Sequence, residues 1–487
     1  MNYSKIVFGF GIALSFAAVQ SCNKIKDFKD LNTDPNNTTT PIPAALLTNV
    51  EAGMGSNLAF DQGGVNTGAG LYAQYFSETQ YTEASRYAKP SYNYDNYYAG
   101  SIEDLQTIIN YNSDPATASA AAGYGSNKNQ IAIARIIKAH YIKFLTDAVG
   151  DVPYFNALKG NSGVITAAYD KQQDIYKDLL KELKEAVAQF DNGATVQGDI
   201  IFNGDVTKWK KYANSLRFLL ALNMGKVDAT TAKSEMQAVL NDPAGLISDN
   251  ADNVEVDYIG GNFPNPLYNY YVLTGRLDYA VTKTMTDQLS NTGDPRLNVY
   301  GQTTKGFPYG LTRDDAIAFS NANTDWAKVL KDTYRKTDSK LSIITASAVD
   351  LARAEAAQRG LTTESAAALY AQGIQASFDQ WGLGDATTFL ANNAIALSGG
   401  ASDLQKIATQ EWVTWFPSGH EGWNVWRRTG YPTLTPAPVP GITAIPRRMS
   451  YGTNDYSYNS ANVADAAARY TVNGQPDSQW GKIWWDQ

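Results

Sequence analysis

Apolar residues recur at spacings of three and four along several stretches of this chain, and each such stretch predicts a helix. Ile133, Ile136, Ile137, Tyr141, Phe144, Leu145 and Ala148 share one face of a helix over residues 131–149. Ile175, Leu179, Leu183, Val187 and Phe190 do the same over 174–190. Trp209, Tyr212 and Leu216, with Leu219 or Leu220, do so over 207–224. Further helices are predicted over 43–56, 346–359, 363–381 and 403–416. The last has Asp403 as its N-cap, with Pro417 and Gly419 marking its end. A helix is also expected over 71–78, after a glycine-rich loop at 63–70. The helices come in pairs with short joins, which points to stacked helix-turn-helix units. No sharp period of about 34 residues is present, so a regular solenoid is not predicted. Helix-poor stretches interrupt the pairs at 81–98, 241–271, 294–325 and 431–462, with short strands expected at 254–259 and 297–300.

Those interruptions hold much of the aromatic content. The chain has 30 Tyr, 10 Trp and 17 Phe, yet a core is built more readily from Leu, Ile and Val. Many of the tyrosines sit among Asn, Ser and Gly, where a core is not expected. Tyr81, Tyr87, Tyr92, Tyr94, Tyr97 and Tyr98 fall close together, interleaved with Asn93 and Asn96. A second group is Phe263, Tyr268, Tyr270 and Tyr271, with Asn265 and Arg276 around it. Aromatic faces pack on the C–H faces of sugars, while amides and guanidinium groups meet hydroxyls. Peptides use similar surfaces. The competing reading is that these tyrosines staple loops to the helical frame through their hydroxyls.

The first residues add a compartment. Lys5, an apolar run from Ile6 to Val19 and a small residue before Cys22 have the layout of a secretory signal peptide. The run is too short for a permanent membrane span. Cys22 is the only cysteine, and it stands where a lipoprotein would be cleaved and acylated. The alternative is an ordinary signal peptide that ends near a cysteine. Residues 1–21 are thus read as a lipoprotein signal peptide and 22–43 as a lipidated, polar lead-in. The remaining body, 44% apolar and 18% charged over the whole chain, has the composition of a folded protein. One cysteine allows no internal disulfide. The net charge of −8 argues against nucleic acid and against anionic headgroups.

Little catalytic chemistry is legible. Histidine occurs only at His140, within a periodic helix, and at His420, in a helix-start turn. Both read as structural, so neither a Ser-His-acid triad nor a closed zinc site is expected. Residues 30–36 alternate oxygen ligands like the start of an EF-hand loop, but lack its glycine and its terminal Glu. Asx-turns explain them better than calcium. Glu78, Glu83, Glu255, Asp257 and Glu411 offer carboxylates for a glycosidase, with no spacing that singles out a pair. Gly260-Gly261-Asn262 lacks the Gly-Lys-Ser/Thr of a phosphate loop. No metal and no cofactor is expected.

Several motifs carry a resemblance. Phe28-Lys29-Asp30-Leu31-Asn32-Thr33-Asp34-Pro35-Asn36 after the cysteine, Gly150-Asp151-Val152-Pro153-Tyr154, and Gly293-Asp294-Pro295-Arg296-Leu297 are similar to elements of the SusD/RagB lipoproteins. So is the run through Gln410-Glu411-Trp412, Trp415-Phe416-Pro417, Glu421-Gly422-Trp423 and Trp426-Arg427-Arg428-Thr429-Gly430-Tyr431-Pro432, which resembles the signature of the starch-binding, outer-membrane-associated branch. The resemblance implies a mostly α fold over 44–487, a single SusD-like domain of tetratricopeptide-like helix pairs with long loops and a few short strands. It implies a surface lipoprotein that binds oligosaccharides, or in some members peptides, without cleaving them. It also implies a SusC-like TonB-dependent transporter as partner, over which the protein sits as a lid. The family's binding loops vary, so no ligand contact is carried over, and a surface glycoside hydrolase stands as the rival reading.

Overall fold

A computed structural model describes residues 40–487. The expectations for the signal peptide, Cys22 and the loop at 30–36 lie outside those residues. The longer helices are α1 (Pro43–Met54), α2 (Val65–Tyr72), α3 (Glu103–Ser113), α4 (Asn127–Val149), α5 (Gln172–Gln189), α6 (Val206–Met224) and α7 (Ala229–Leu240). They continue as α8 (Lys283–Asn291), α9 (Arg313–Ala322), α10 (Ala346–Gln358), α11 (Ala366–Gln380), α12 (Asp403–Thr414), α13 (Gly419–Thr429) and α14 (Thr453–Ala468). Sequential neighbours pack as pairs: α3 on α4, α4 on α5, α5 on α6, α6 on α7, α10 on α11 and α12 on α13. The strands are short: β1 (Phe76–Glu78), β2 (Val152–Pro153), β3 (Tyr169–Asp170), β4 (Val254–Val256), β5 (Tyr279–Val281) and β6 (Leu341–Ile344). They form antiparallel two-stranded sheets β1–β5, β2–β3 and β4–β6. Residues Pro43–Gln487 form one compact unit.

The apolar stripes do what their spacing predicts. The stripe of α4 is buried in full, as are Ile175, Leu179 and Leu183 of α5 and Trp209, Tyr212 and Leu216 of α6. Ser126, Asp205 and Ser365 cap α4, α6 and α11 by accepting backbone N–H bonds. Asp403 is not a cap. It is the first residue of α12, and its carboxylate instead accepts from the Ser398 and Gly399 amides, closing the preceding turn.

Segment 63–78 departs further from expectation. The glycine-rich stretch is helix α2, and the expected helix over 71–78 gives way to β1 after Tyr72. The reason is tertiary. Gly70 faces Gly419 at the crossing of α2 and α13, where a Cβ on Gly70 would stand 3.3 Å from the Gly419 Cα. Gly68 accommodates the Tyr92 ring in the same way. These glycines therefore serve close packing rather than a loop, at a propensity cost of about 1 kcal/mol each. Residues 297–300, expected as a strand, form one helical turn anchored by Arg296. Its guanidinium is buried, pairs with Asp294 and bonds Gln410 and Thr414 of α12.

Buried ions tie the frame together. Arg428 of α13 makes three bonds to Glu355 of α10 (2.8, 3.1 and 2.7 Å), one to Glu411 of α12 (2.8 Å) and one to Asn223 of α6 (2.7 Å). Lys143 of α4 lies between Asp147 (3.0 Å) and Glu421 of α13 (2.8 Å). Asp151, at the turn after α4, accepts from the Gln172 amide and the Tyr470 hydroxyl. The motifs that carry the sequence resemblance are in these places frame elements, joining helices distant in sequence.

Candidate ligand-binding site

The β1–β5 pair brings one residue of each sequence group, Tyr81 and Arg276, to the same edge. Its register sets Glu78 opposite Tyr279. The ladder runs one step further, where the Thr79 amide donates to the Asp278 carbonyl (2.8 Å) and the Thr79 hydroxyl to the Leu277 carbonyl (2.6 Å). Tyr81 and Arg276 thereby line one concavity of about 370 Å³. Gln80 and Asp278 lie between them, and Ile317, Ser320 and Asn321 of α9 supply the facing wall.

Asp278 organises the polar side. Its carboxylate is largely buried and accepts from Gln80 Nε2 (2.7 Å) and Arg276 Nε (2.6 Å). Both side chains are thus held by one anion, as charge-assisted bonds require. The apolar side is open. Tyr81 is 47% exposed and Leu277 42%. The Arg313 guanidinium sits 5.4 Å from the Tyr81 ring centre, a cation over a π face. Below this edge Glu78 accepts the Ser85 amide (2.8 Å) and hydroxyl (3.0 Å), closing the turn that carries Tyr81. Burial pushes the Glu78 carboxyl up to about 7, against the lowering effect of the Ser85 bonds.

The other candidate residues fall elsewhere. Tyr87, Tyr92, Tyr94, Tyr270 and Tyr271 belong to the hydrophobic core, which corrects the expectation that tyrosines among polar residues lie outside it. For four of them, Tyr92 excepted, hydroxyl bonds explain the burial. Tyr87 accepts from the Ala437 amide, Tyr94 donates to Asp455, and Tyr271 donates to the Tyr279 carbonyl. Tyr270 accepts from the Tyr279 amide. Tyr92 packs on Gly68 beneath Lys89. Tyr97 is half-buried on Tyr141 and Phe144, and Tyr98 donates to the Pro153 carbonyl (2.7 Å). Tyr94 and Tyr98 border a second depression with Asp95 and Asn156. Asn93 and Asn96 are exposed. Phe263 rests on Tyr258, and Tyr268 is half-buried. Asn265 is buried and caps a helical turn by accepting the Leu267 and Tyr268 amides.

Gln80, Asp278 and the α9 residues were not expected at a site. A signal for α9 exists in Thr312-Arg313-Asp314-Asp315. The Thr312 hydroxyl accepts the Asp315 amide, and acidic residues fill the first turn. No such local signal marks Gln80 or Asp278.

Of the carboxylates considered for hydrolysis, Glu78 and Glu411 are buried in the bonds described, and Glu255 and Asp257 flank Lys340. Asp278 is the one carboxylate among the described residues lining the concavity. His140 bonds the Tyr212 hydroxyl (2.6 Å), and burial lowers it to about 3, so the ring is neutral. His420 packs against Phe144, with the rings tilted by 39°, inside the frame. Among the described residues, no group of three or more His, Cys, Asp or Glu could hold a metal, and no helix is long and apolar enough to cross a membrane.

Comparisons with known proteins agree with this architecture. No curated protein matches the sequence. The structure resembles a chitin-binding protein at 27% identity, over 91% of this chain and 100% of that one, with a TM-score of 0.74. It resembles a SusD homologue from Bacteroides uniformis at 26% identity, over 91% and 99%, with a TM-score of 0.75. A chitin-binding SusD homologue from Flavobacterium johnsoniae shares the fold at 24% identity, over 91% and 98%, with a TM-score of 0.72. Residues 35–452 match the SusD-like family model described as starch-binding and associating with the outer membrane. With that match spanning most of the sequence and the mostly helical fold to accompany it, the chain belongs to the SusD-like family.

Proposed function

We propose that this protein is a lipid-anchored, cell-surface member of the family that binds oligosaccharides at the Tyr81–Arg276 concavity. It then passes them, uncleaved, to a SusC-like TonB-dependent transporter. The observation that carries the reading is the concavity's composition. An exposed aromatic ring and two aliphatic side chains face a sugar's C–H surface, while Gln80, Arg276 and Asn321 offer donors and acceptors to its hydroxyls. Hydrolysis needs two carboxylates astride the bond. Asp278 is alone in the lining and is already engaged by Gln80 and Arg276. Chitin binding by two similar proteins supports a polysaccharide fragment as the ligand class.

Titration of the mature chain with the hexamers of N-acetylglucosamine and of α-1,4-glucose tests this. At least one should bind and be recovered at full length. Tyr81→Ala and Arg276→Ala should each weaken binding about tenfold, or about 1.4 kcal/mol. Tyr81 is surface-exposed, so its substitution should change stability by only about 0.5 kcal/mol, while Arg276→Ala also takes the cation from Asp278 and should cost about 1–3 kcal/mol. Shortened products, or affinities unmoved by both substitutions, would overturn the reading. The anchor is assigned to Cys22, since two or more acyl chains hold a protein stably to a bilayer. Cys22→Ala should move the protein from the membrane to the soluble fraction. Retention there would remove the anchor.

A further inference from the structure

A larger cavity, of about 460 Å³, lies apart from the Tyr81 concavity and shares none of its lining residues. It is framed by β6, by Glu255 of β4, by the end of α11, and by the turn that joins α12 to α13. That turn is Trp415-Phe416-Pro417-Ser418, part of the motif for which the first site has no use. Its volume is in the range of small-molecule sites.

The walls differ in chemistry. One is aromatic: the Tyr334 ring meets Trp381 edge to face at 5.1 Å and donates its hydroxyl to the Trp381 carbonyl (3.0 Å). Trp415 and Phe416 close the floor, both almost fully buried, with Phe416 stacked on Tyr300 at 4.7 Å. The other wall is a polar chain. Gln380 Nε2 donates to Ser342 Oγ (3.1 Å), which donates to Glu255 Oε1 (2.7 Å). Glu255 Oε2 is engaged by a long ion pair to Lys340 at 3.8 Å. Gln380 Oε1 accepts no hydrogen bond from the described residues and Glu255 Oε2 has only that long ion pair, so both can still accept from a ligand, and both are on one wall. The charged residues of the lining, Glu255, Asp338, Lys336 and Lys340, balance. The cavity thus has no net charge with which to select an ion.

We propose that this cavity is a second carbohydrate site, taking one or two units of a neutral sugar. The ring packs on the Tyr334–Trp381 side, and its hydroxyls donate to Glu255 and Gln380. Such a site holds a unit of a chain, or a separate short fragment, while the Tyr81 concavity holds another.

The test uses the mature chain carrying Tyr81→Ala and Arg276→Ala, which silences the first site. N,N′-diacetylchitobiose, maltose and a glucuronic acid disaccharide serve as probes in ligand-detected saturation-transfer titrations. At least one neutral disaccharide should still bind. Glu255→Gln with Gln380→Ala should weaken it tenfold or more at an unchanged melting midpoint. Tyr334→Ala gives an independent arm through the aromatic wall, and should weaken it as well. Absence of binding by both neutral probes overturns the proposal. So does binding that both sets of cavity substitutions leave unchanged, and so does a preference for the acidic probe. Failure of the first site appears separately, as hexamer affinity that ignores Tyr81→Ala and Arg276→Ala.

Discussion

Arg428→Met is expected to destabilise the protein by about 3–5 kcal/mol at neutral pH, as loss of one partner from a buried ionic cluster does. The guanidinium is nearly inaccessible and bonds groups on α6, α10 and α12 at once. Methionine approximates its length but leaves Glu355 with Arg359 alone (2.8 Å) and Glu411 with no cation. The loss should depend on pH. Burial alone would raise the Glu355 carboxyl, but Arg428 and then Arg359 outweigh it and hold the group at about 2, against an ordinary 4.5. A carboxyl lowered on folding contributes stability above its unfolded value, and that contribution disappears as pH falls towards the folded one. The gap between wild type and Arg428→Met should therefore narrow below about pH 4.5 and continue to close towards 2. Glu411 runs the other way. Burial, reinforced by Glu355 beside it, holds its proton well above the usual range despite Arg428. Its contribution is complete below pH 4.5 and falls as pH rises. Urea unfolding at pH 7, 5 and 3.5 checks the sum. A gap under about 1 kcal/mol at pH 7, or one that stays constant, would contradict the cluster's role.

Trp412→Ala should cost a similar amount, about 3–5 kcal/mol, from the volume removed from a packed core. The indole is fully buried, 5.0 Å from the Tyr75 ring, and donates to the Ala73 carbonyl (3.1 Å). Its own carbonyl accepts the Tyr75 hydroxyl. Ala73 and Tyr75 lead directly into β1, and β1 into Gln80 and Tyr81. The damage should therefore spread to the edge that carries Tyr81. Trp412→Phe keeps most of the ring but strands the Ala73 carbonyl, and should cost about 1–3 kcal/mol. Chemical unfolding measures both losses, and hydrogen exchange at the Thr79 amide, which bonds Asp278, reports the edge. An alanine variant as stable as the phenylalanine one would show that the cavity collapses without cost.

What was legible in the sequence follows from how far each feature's cause extends along the chain. Helices α4, α5 and α6 are set by stripes of three and four, a local property, and appear within a few residues of the predicted ends. Helix α2 was hidden because its glycines answer to α13, hundreds of positions away. The buried tyrosines misled for the same reason. Tyr94 looks like a loop residue until Asp455, 361 positions later, accepts its proton. At the binding edge, Tyr81 and Arg276 were visible as residue types suited to sugars. Their meeting was not, because a strand pair of three residues leaves too short a pattern to read. Asp278, which holds Gln80 and Arg276, gains its role from Gln80, 198 positions away.

The reach from Tyr75 to Trp412 has a consequence in time. The two are 337 residues apart, so closing that contact requires nearly the whole polypeptide, and such distant pairings form slowly. A chain made from its N-terminus exposes Leu71, Tyr72 and Phe76 long before α12 and α13 exist to cover them. The β1–β5 edge is thus encoded early and assembled late. A partial chain has no finished edge, and completing the molecule is what forms the concavity beside Tyr81.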